Sequence, residues 1–264
     1  MTRRATLLLA AAVMLLGAGA AFLLLRPEPS RGASSGLIQA LQGNTDPRSQ
    51  ALARQRTRNP PPLPAVSALP ALIRDTSWLV RLRAASSLAE RTDISAGDRA
   101  ELILDALGQE VTSPASGPPL AGSYLPLSGV FRLHYVHMIE DLGSAATGPA
   151  RAALRNASGD LREWTSIALA ASGDNDAAPG LRDLLRRSHH AEVRMSSAYF
   201  LGLLGDRSAA GDLKAALADP ATARVRSDGS EPSHTLYPVR EQAAGALQAL
   251  GFTVERNGDT FTAN

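Results

Sequence analysis

VREQAAGALQALG, Val239–Gly251, decides the reading of this chain. Apolar or small residues stand at offsets 0, +4, +7, +8 and +11: Val239, Ala243, Ala246, Leu247 and Leu250. That spacing is one face of a 3.6-residue period, so the stretch predicts an amphipathic helix ended by Gly251. The same frame fits Val80/Ala84/Leu88, Phe131/Tyr135/Met138/Ile139/Leu142, Leu161/Thr165/Ala168/Leu169 and Val193/Ser197/Phe200/Leu201/Leu204. Every copy carries arginine at offset +1: Arg81, Arg132, Arg162, Arg194 and Arg240. Self-similarity at this scale is the mark of a repeat architecture.

A shorter apolar pair precedes each copy: Leu69/Ile73, Ile103/Leu107, Ala150/Leu154, Leu181/Leu185 and Leu213/Leu217. The compact copies run from Ile73 to Val80, Leu154 to Leu161 and Leu185 to Val193, which leaves room only for a tight turn. Asp75, Gly159-Asp160 and Ser188 are the turn or capping residues expected there. The prediction is an all-α fold, an α-solenoid of about five helical hairpins over residues 63–251. Composition agrees: aromatics are 4% and cysteine is absent. Small residues suit closely packed helices, and the missing thiols exclude disulfides, thiolate metal sites, cysteine nucleophiles and cysteine acylation.

These segments resemble HEAT repeats. The likeness is carried by Asp75 with Val80-Arg81-Leu82-Arg83-Ala84-Ala85-Ser86-Ser87-Leu88-Ala89 and by Asp176–Leu185 with Val193-Arg194 through Gly205-Asp206. Pro238–Gly251 carries it too. The short bacterial, phycobilisome-lyase-like type is the nearest match, because Arg132, Arg162 and Arg194 stand 30 and 32 residues apart. Longer HEAT units repeat at roughly 40–47 residues. The resemblance implies a scaffold that binds a protein partner, and no cofactor is expected. It leaves open a lyase-like or other enzyme on the same solenoid, or a metal- or nucleic-acid-binding repeat protein.

The repeated arginine sits in the first turn of its helix, where the helix dipole disfavours a cation. Carboxylates at Asp75, Asp160, Glu192 and Asp219 are placed to compensate. Arg81, Arg132, Arg162, Arg194 and Arg240 therefore read as a structural ladder joining neighbouring hairpins, not as a ligand-binding row.

Ala5–Leu25 is uncharged and follows Arg3-Arg4. About 20 apolar residues cross a bilayer, so residues 1–26 predict an N-terminal transmembrane signal-anchor. Ala18-Gly19-Ala20 keeps cleavage, and secretion, as the alternative. The expected location is the cytoplasmic membrane, single-pass, with the body on the periplasmic or extracytoplasmic side. Residues 27–62, rich in Pro, Gly, Ser and Arg, read as a linker. The formal charge is +2; removing Arg3, Arg4 and Arg26 leaves 24 basic against 25 acidic residues, so no nucleic acid is expected as partner.

Two turns are long, each carrying about 15 extra residues. Gln109–Gly129 is Pro/Gly/Ser-rich and predicts irregular chain. Ala221–Pro238 predicts a small hairpin with Arg224-Val225-Arg226 opposite His234-Thr235-Leu236. Both interrupt the same turn of their repeats and so fall along one edge. Tyr124, Arg226, His234 and Tyr237 are the candidate partner contacts. His134, His137 and Asp141 are the candidate metal ligands, although His-x-x-His alone more often marks a packed or solvated pair. His189-His190 reads as exposed turn. No catalytic set is found. Phe252–Thr262 alternates around Asn257-Gly258 and predicts a C-terminal β-hairpin closing the last repeat.

Overall fold

The computed structural model describes residues 63–117, 123–224 and 235–264. Five successive helical pairs run along the described residues. They are α1 (Leu69–Ile73) with α2 (Trp78–Ser87), and α3 (Ala96–Thr112) with α4 (Leu127–Leu142). Then come α5 (Thr147–Asn156) with α6 (Gly159–Ala171), and α7 (Ala178–Arg187) with α8 (Ala191–Leu204). The last pair is α9 (Ala210–Ala216) with α10 (Pro238–Ala249). Partners within each pair pack together. Among first helices, α3 packs on α1 and α5, and α7 on α9; among second helices, α4, α6, α8 and α10 pack in sequence. The result is two helical layers around one continuous apolar core.

The recurring frame is what that core is made of. Val239, Ala243, Ala246, Leu247 and Leu250 are all buried, as are Phe131, Tyr135, Met138, Ile139, Val193, Ser197, Phe200 and Leu201. Second helices pack through small side chains. A Cβ on Gly202 of α8 would lie 2.7 Å from Ala246 Cα of α10, so these helices approach as closely as glycine permits.

Helix ends follow a shared recipe. Gly205 (φ 72°) and Gly251 (φ 95°) turn the chain left-handed after α8 and α10. Asp206 N–H then donates to Leu201 O, and Phe252 N–H to Leu247 O, closing otherwise unpaired carbonyls. Asp174 and Asp206 follow Gly173 and Gly205 and accept from Asp176 N–H and Ser208 N–H, starting the next repeat. Ser95 caps α3 reciprocally with Asp98, the side-chain logic of a capping box.

Two expectations are shifted. The first long turn is shorter than predicted, because α3 continues to Thr112: its Glu110 is held inside by Arg81 and by Ala115 N–H. The second begins as β1 (Ala223–Arg224) paired with β2 (Thr235–Leu236), Arg224 facing Thr235, one residue out from the predicted register. After α10, β3 (Val254–Asn257) and β4 (Thr260–Ala263) form an antiparallel hairpin. Its two-residue loop is Gly258-Asp259, with Gly258 at φ 59°. Phe261 is buried against the body of the protein.

The expected fold class and location need correction. No described helix is long and apolar enough to cross a membrane. The longest, α3, has 17 residues and carries Asp98, Arg99, Glu101, Asp105 and Glu110, too short and too charged to span. The segment assigned to the anchor, Ala5–Leu25, lies outside the described residues, as does the linker 27–62. The single-pass membrane reading, with its extracytoplasmic body, is accordingly withdrawn, and the fold stands as mostly helical with no spanning helix among its described elements.

Candidate functional site

The five matched arginines occupy equivalent places in their helices and make unequal contacts. Arg81 is buried, and so is the carboxylate of Glu110, 3.2 Å away. It also donates to the carbonyls of Asp75, Thr76 and Ser113. Burial pushes the Glu110 carboxyl up, while Ala115 N–H and Arg81 pull it back down. Arg132 crosses two helices: its guanidinium lies 5.1 Å from the Trp164 ring centre on α6 and donates to Glu192 on α8 at 2.9 Å. Arg194 grips Asp219 with two bonds of 2.7 and 3.0 Å and reaches Ser188 O. Arg240 donates to the carbonyls of Asp219 and Asp259 and lies over the Tyr237 ring. Arg162 makes one long bond, 3.4 Å, to Leu154 O at the surface.

Three rungs are thus arginine–carboxylate pairs, through Glu110, Glu192 and Asp219. Asp75 instead accepts Ser77 N–H and caps its turn. Asp160 faces His190.

A second ladder on the first helices was not foreseen. Arg74 of the first pair meets Asp105 of the second; Arg151 on α5 meets Asp174 and Asp176 ahead of α7. Arg182 and Arg186 on α7 meet Asp206 and Asp212 of the last pair. Each arginine reaches one repeat forward. The legible signal was the recurrence of Asp after Gly173 and Gly205, which fixes an acid at the start of each following repeat.

Both long turns lie between a first helix and its second helix. Tyr124, from the first, reaches past α4 to α8, where its hydroxyl donates to Met195 Sδ at 3.2 Å. Burial, and the nearby carboxylates of Glu241 on α10 and Glu192 on α8, push its phenol above its ordinary range. Tyr237 closes the second turn and is buried, its phenol raised first by a hydrogen bond with Asp259 and then by burial. The two tyrosines therefore hold their loops against the body. Arg226 and His234 lie outside the described residues.

The candidate metal ligands on α4 do not converge. His134 Nε2 lies 3.3 Å from Ser86 Oγ, and burial together with His137 pulls its pKa down to about 4. His137 Nδ1 lies 2.9 Å from Glu140, its ring edge-on to Tyr199, and Asp141 is exposed. A different group does converge: Asp160 and Glu163 of α6 with His190, which caps α8. His190, expected as exposed turn, is half-buried, and Ser188 Oγ ties its backbone N–H to Glu163.

Residues 147–230, from α5 into the second long turn, match the family described as HEAT repeats, about a third of the chain. The match is to the repeat as such and does not extend to the phycobilisome-lyase-like subtype. No curated protein matches the chain. The matched span holds two of the three compact hairpins and the Gly-Asp junctions at 173–174 and 205–206, so match and geometry agree on the same residues: this stretch of the chain carries HEAT repeats.

Proposed function

We propose that the chain is a scaffold whose partner is another protein, bound along the edge that carries the two long turns. HEAT repeats commonly present extended surfaces for protein interaction, and stacked repeats place equivalent turns side by side. The single observation behind this choice of edge is Tyr124. It draws the first turn over α4 to α8 and toward Glu241 of α10, beside the base of the second turn. Loops of this length are uncommon in compact domains unless they carry function. Tyr124 and Tyr237 anchor the loops; Arg226 and His234 make the contacts.

The arginines that would suggest a polyanion partner are largely committed elsewhere. Arg74, Arg81, Arg132, Arg151, Arg186 and Arg194 each face a carboxylate within 3.2 Å. A nucleic-acid surface needs cations that are free to replace counterions.

The test replaces residues 225–234 with a short Gly/Ser turn joining Arg224 to Thr235. Captured proteins are compared by mass spectrometry for the intact and altered chains. A partner held by the intact chain and lost from the variant, at an unchanged melting temperature, supports the edge. Identical capture by both removes it.

A further inference from the structure

We infer that Asp160, Glu163 and His190 form a binding site for a divalent transition-metal ion of the zinc type, where the first turn of α6 meets the turn between α7 and α8. One ligand atom from each lies within 4.8 Å of the others. Two carboxylates balance the charge of a divalent cation, and the imidazole selects a borderline metal over calcium or magnesium, which prefer all-oxygen shells. Three protein ligands leave a coordination position for water.

The spacing between His190 and Asp160 leaves room for a bridging ion. His190 Nε2 and Asp160 Oδ2 stand 3.4 Å apart. A charge-assisted N–H···O bond is typically about 2.7–2.9 Å. Two ligands bound to one tetrahedral ion at about 2.1 Å stand roughly 3.4 Å from each other. The carboxylates are also unusual for this protein. Most of its acids near a helix end face an arginine, whereas Asp160 meets only His190, and Glu163 only Ser188, among the described residues.

The site is pre-organised by the turn that carries the histidine. Ser188 is buried; its hydroxyl donates to Glu163 Oε2 at 2.8 Å and accepts His190 N–H at 3.2 Å. Its own N–H is fixed to Leu184 O, and its carbonyl is held by Arg194. One serine thus orients a carboxylate ligand and the backbone of the imidazole ligand, the outer-shell support that metal sites use. The amino-terminal dipoles of α6 and α8 oppose a cation here, which is why both carboxylates are needed.

The experiment uses the untagged full chain, zinc, cobalt or magnesium chloride as the only added ligand, and calorimetric titration beside thermal melting. Zinc binds with one ion per chain and raises the melting temperature; cobalt gives the intense visible absorption of a four-coordinate site; magnesium does neither. His190→Ala and the Asp160→Asn/Glu163→Gln pair abolish the one-to-one step, and Ser188→Ala weakens it by about 10–100-fold. Melting in chelator shows that each variant still folds. His134→Ala with His137→Ala binds as the wild type does. No one-to-one zinc binding by the intact chain, or binding that survives both His190→Ala and the carboxylate pair, overturns the site.

Discussion

Residue by residue, matched sequence positions carry very different free energies. Arg81 and Glu110 are a buried pair, and removing one partner of such a pair costs about 3–5 kcal/mol, because the other charge is stranded. Arg162 is exposed and holds one long bond. Arg81→Ala is therefore expected to lower the denaturant midpoint by several kcal/mol in stability, and Arg162→Ala to stay within about 0.5 kcal/mol. Equal losses would show that burial does not separate the rungs. His134 gives a pH dependence of known sign. Its pKa falls from 6.5 unfolded to about 4 folded, so between those values the unfolded chain binds the extra proton. Its contribution is present above pH 6.5 and is lost as the pH falls toward 4. Glu110, raised by burial, slopes the opposite way, losing stability as pH rises through its folded pKa. The informative measurement is thus the difference between wild type and His134→Gln: the variant's melting temperature falls less between pH 6.5 and 4.

At the scale of elements, the contact between α8 and α10 is set by a missing side chain. Gly202 faces Ala246 so closely that a methyl group would meet backbone. Alanine is the better helix former by about 1 kcal/mol, yet overpacking a close contact costs about 1–3 kcal/mol and moves both helices. Gly202→Ala is expected to destabilise on balance, while Gly245→Ala on α10, where the added carbon meets nothing within 4 Å, is expected to stabilise. Chemical denaturation of the two variants decides this; the same sign for both would mean that propensity outweighs packing. The sequence showed that small residues recur on these helices. Which glycine faces a neighbouring backbone depends on how two helices cross, and periodicity within one helix does not carry that.

For the molecule as a whole, stability is distributed through neighbouring repeats, so damage at one end should stay near that end. The C-terminal hairpin closes the last repeat: Phe261 is buried, Phe252 packs beside the core under Lys214, and Asp259 O accepts from Arg240. Phe261→Ala is expected to remove about 2 kcal/mol, or about 4–8 °C in melting temperature for a body of this size. Hydrogen exchange gives the sharper reading. Amides of α10 should lose protection while those of α3 and α4 keep theirs, whereas uniform loss would indicate a single cooperative unit.

The sequence by itself determined the helical pairs, the buried face of each and the place of the two long turns within their pairs. These follow from local periodicity, from glycine and capping residues, and from loop length, all of which act within a few residues. It also placed an arginine in every repeat, but not its partner: Asp75 and Asp160 were plausible acids that turned to other work, whereas Glu110 was hidden inside a stretch read as loop. Only the tertiary structure decided which charges are buried, that Tyr124 crosses to α8, and that His190 meets Asp160 and Glu163 while His134 and His137 part company. Each of those depends on the angle and distance between helices far apart in the chain, and packing sets both.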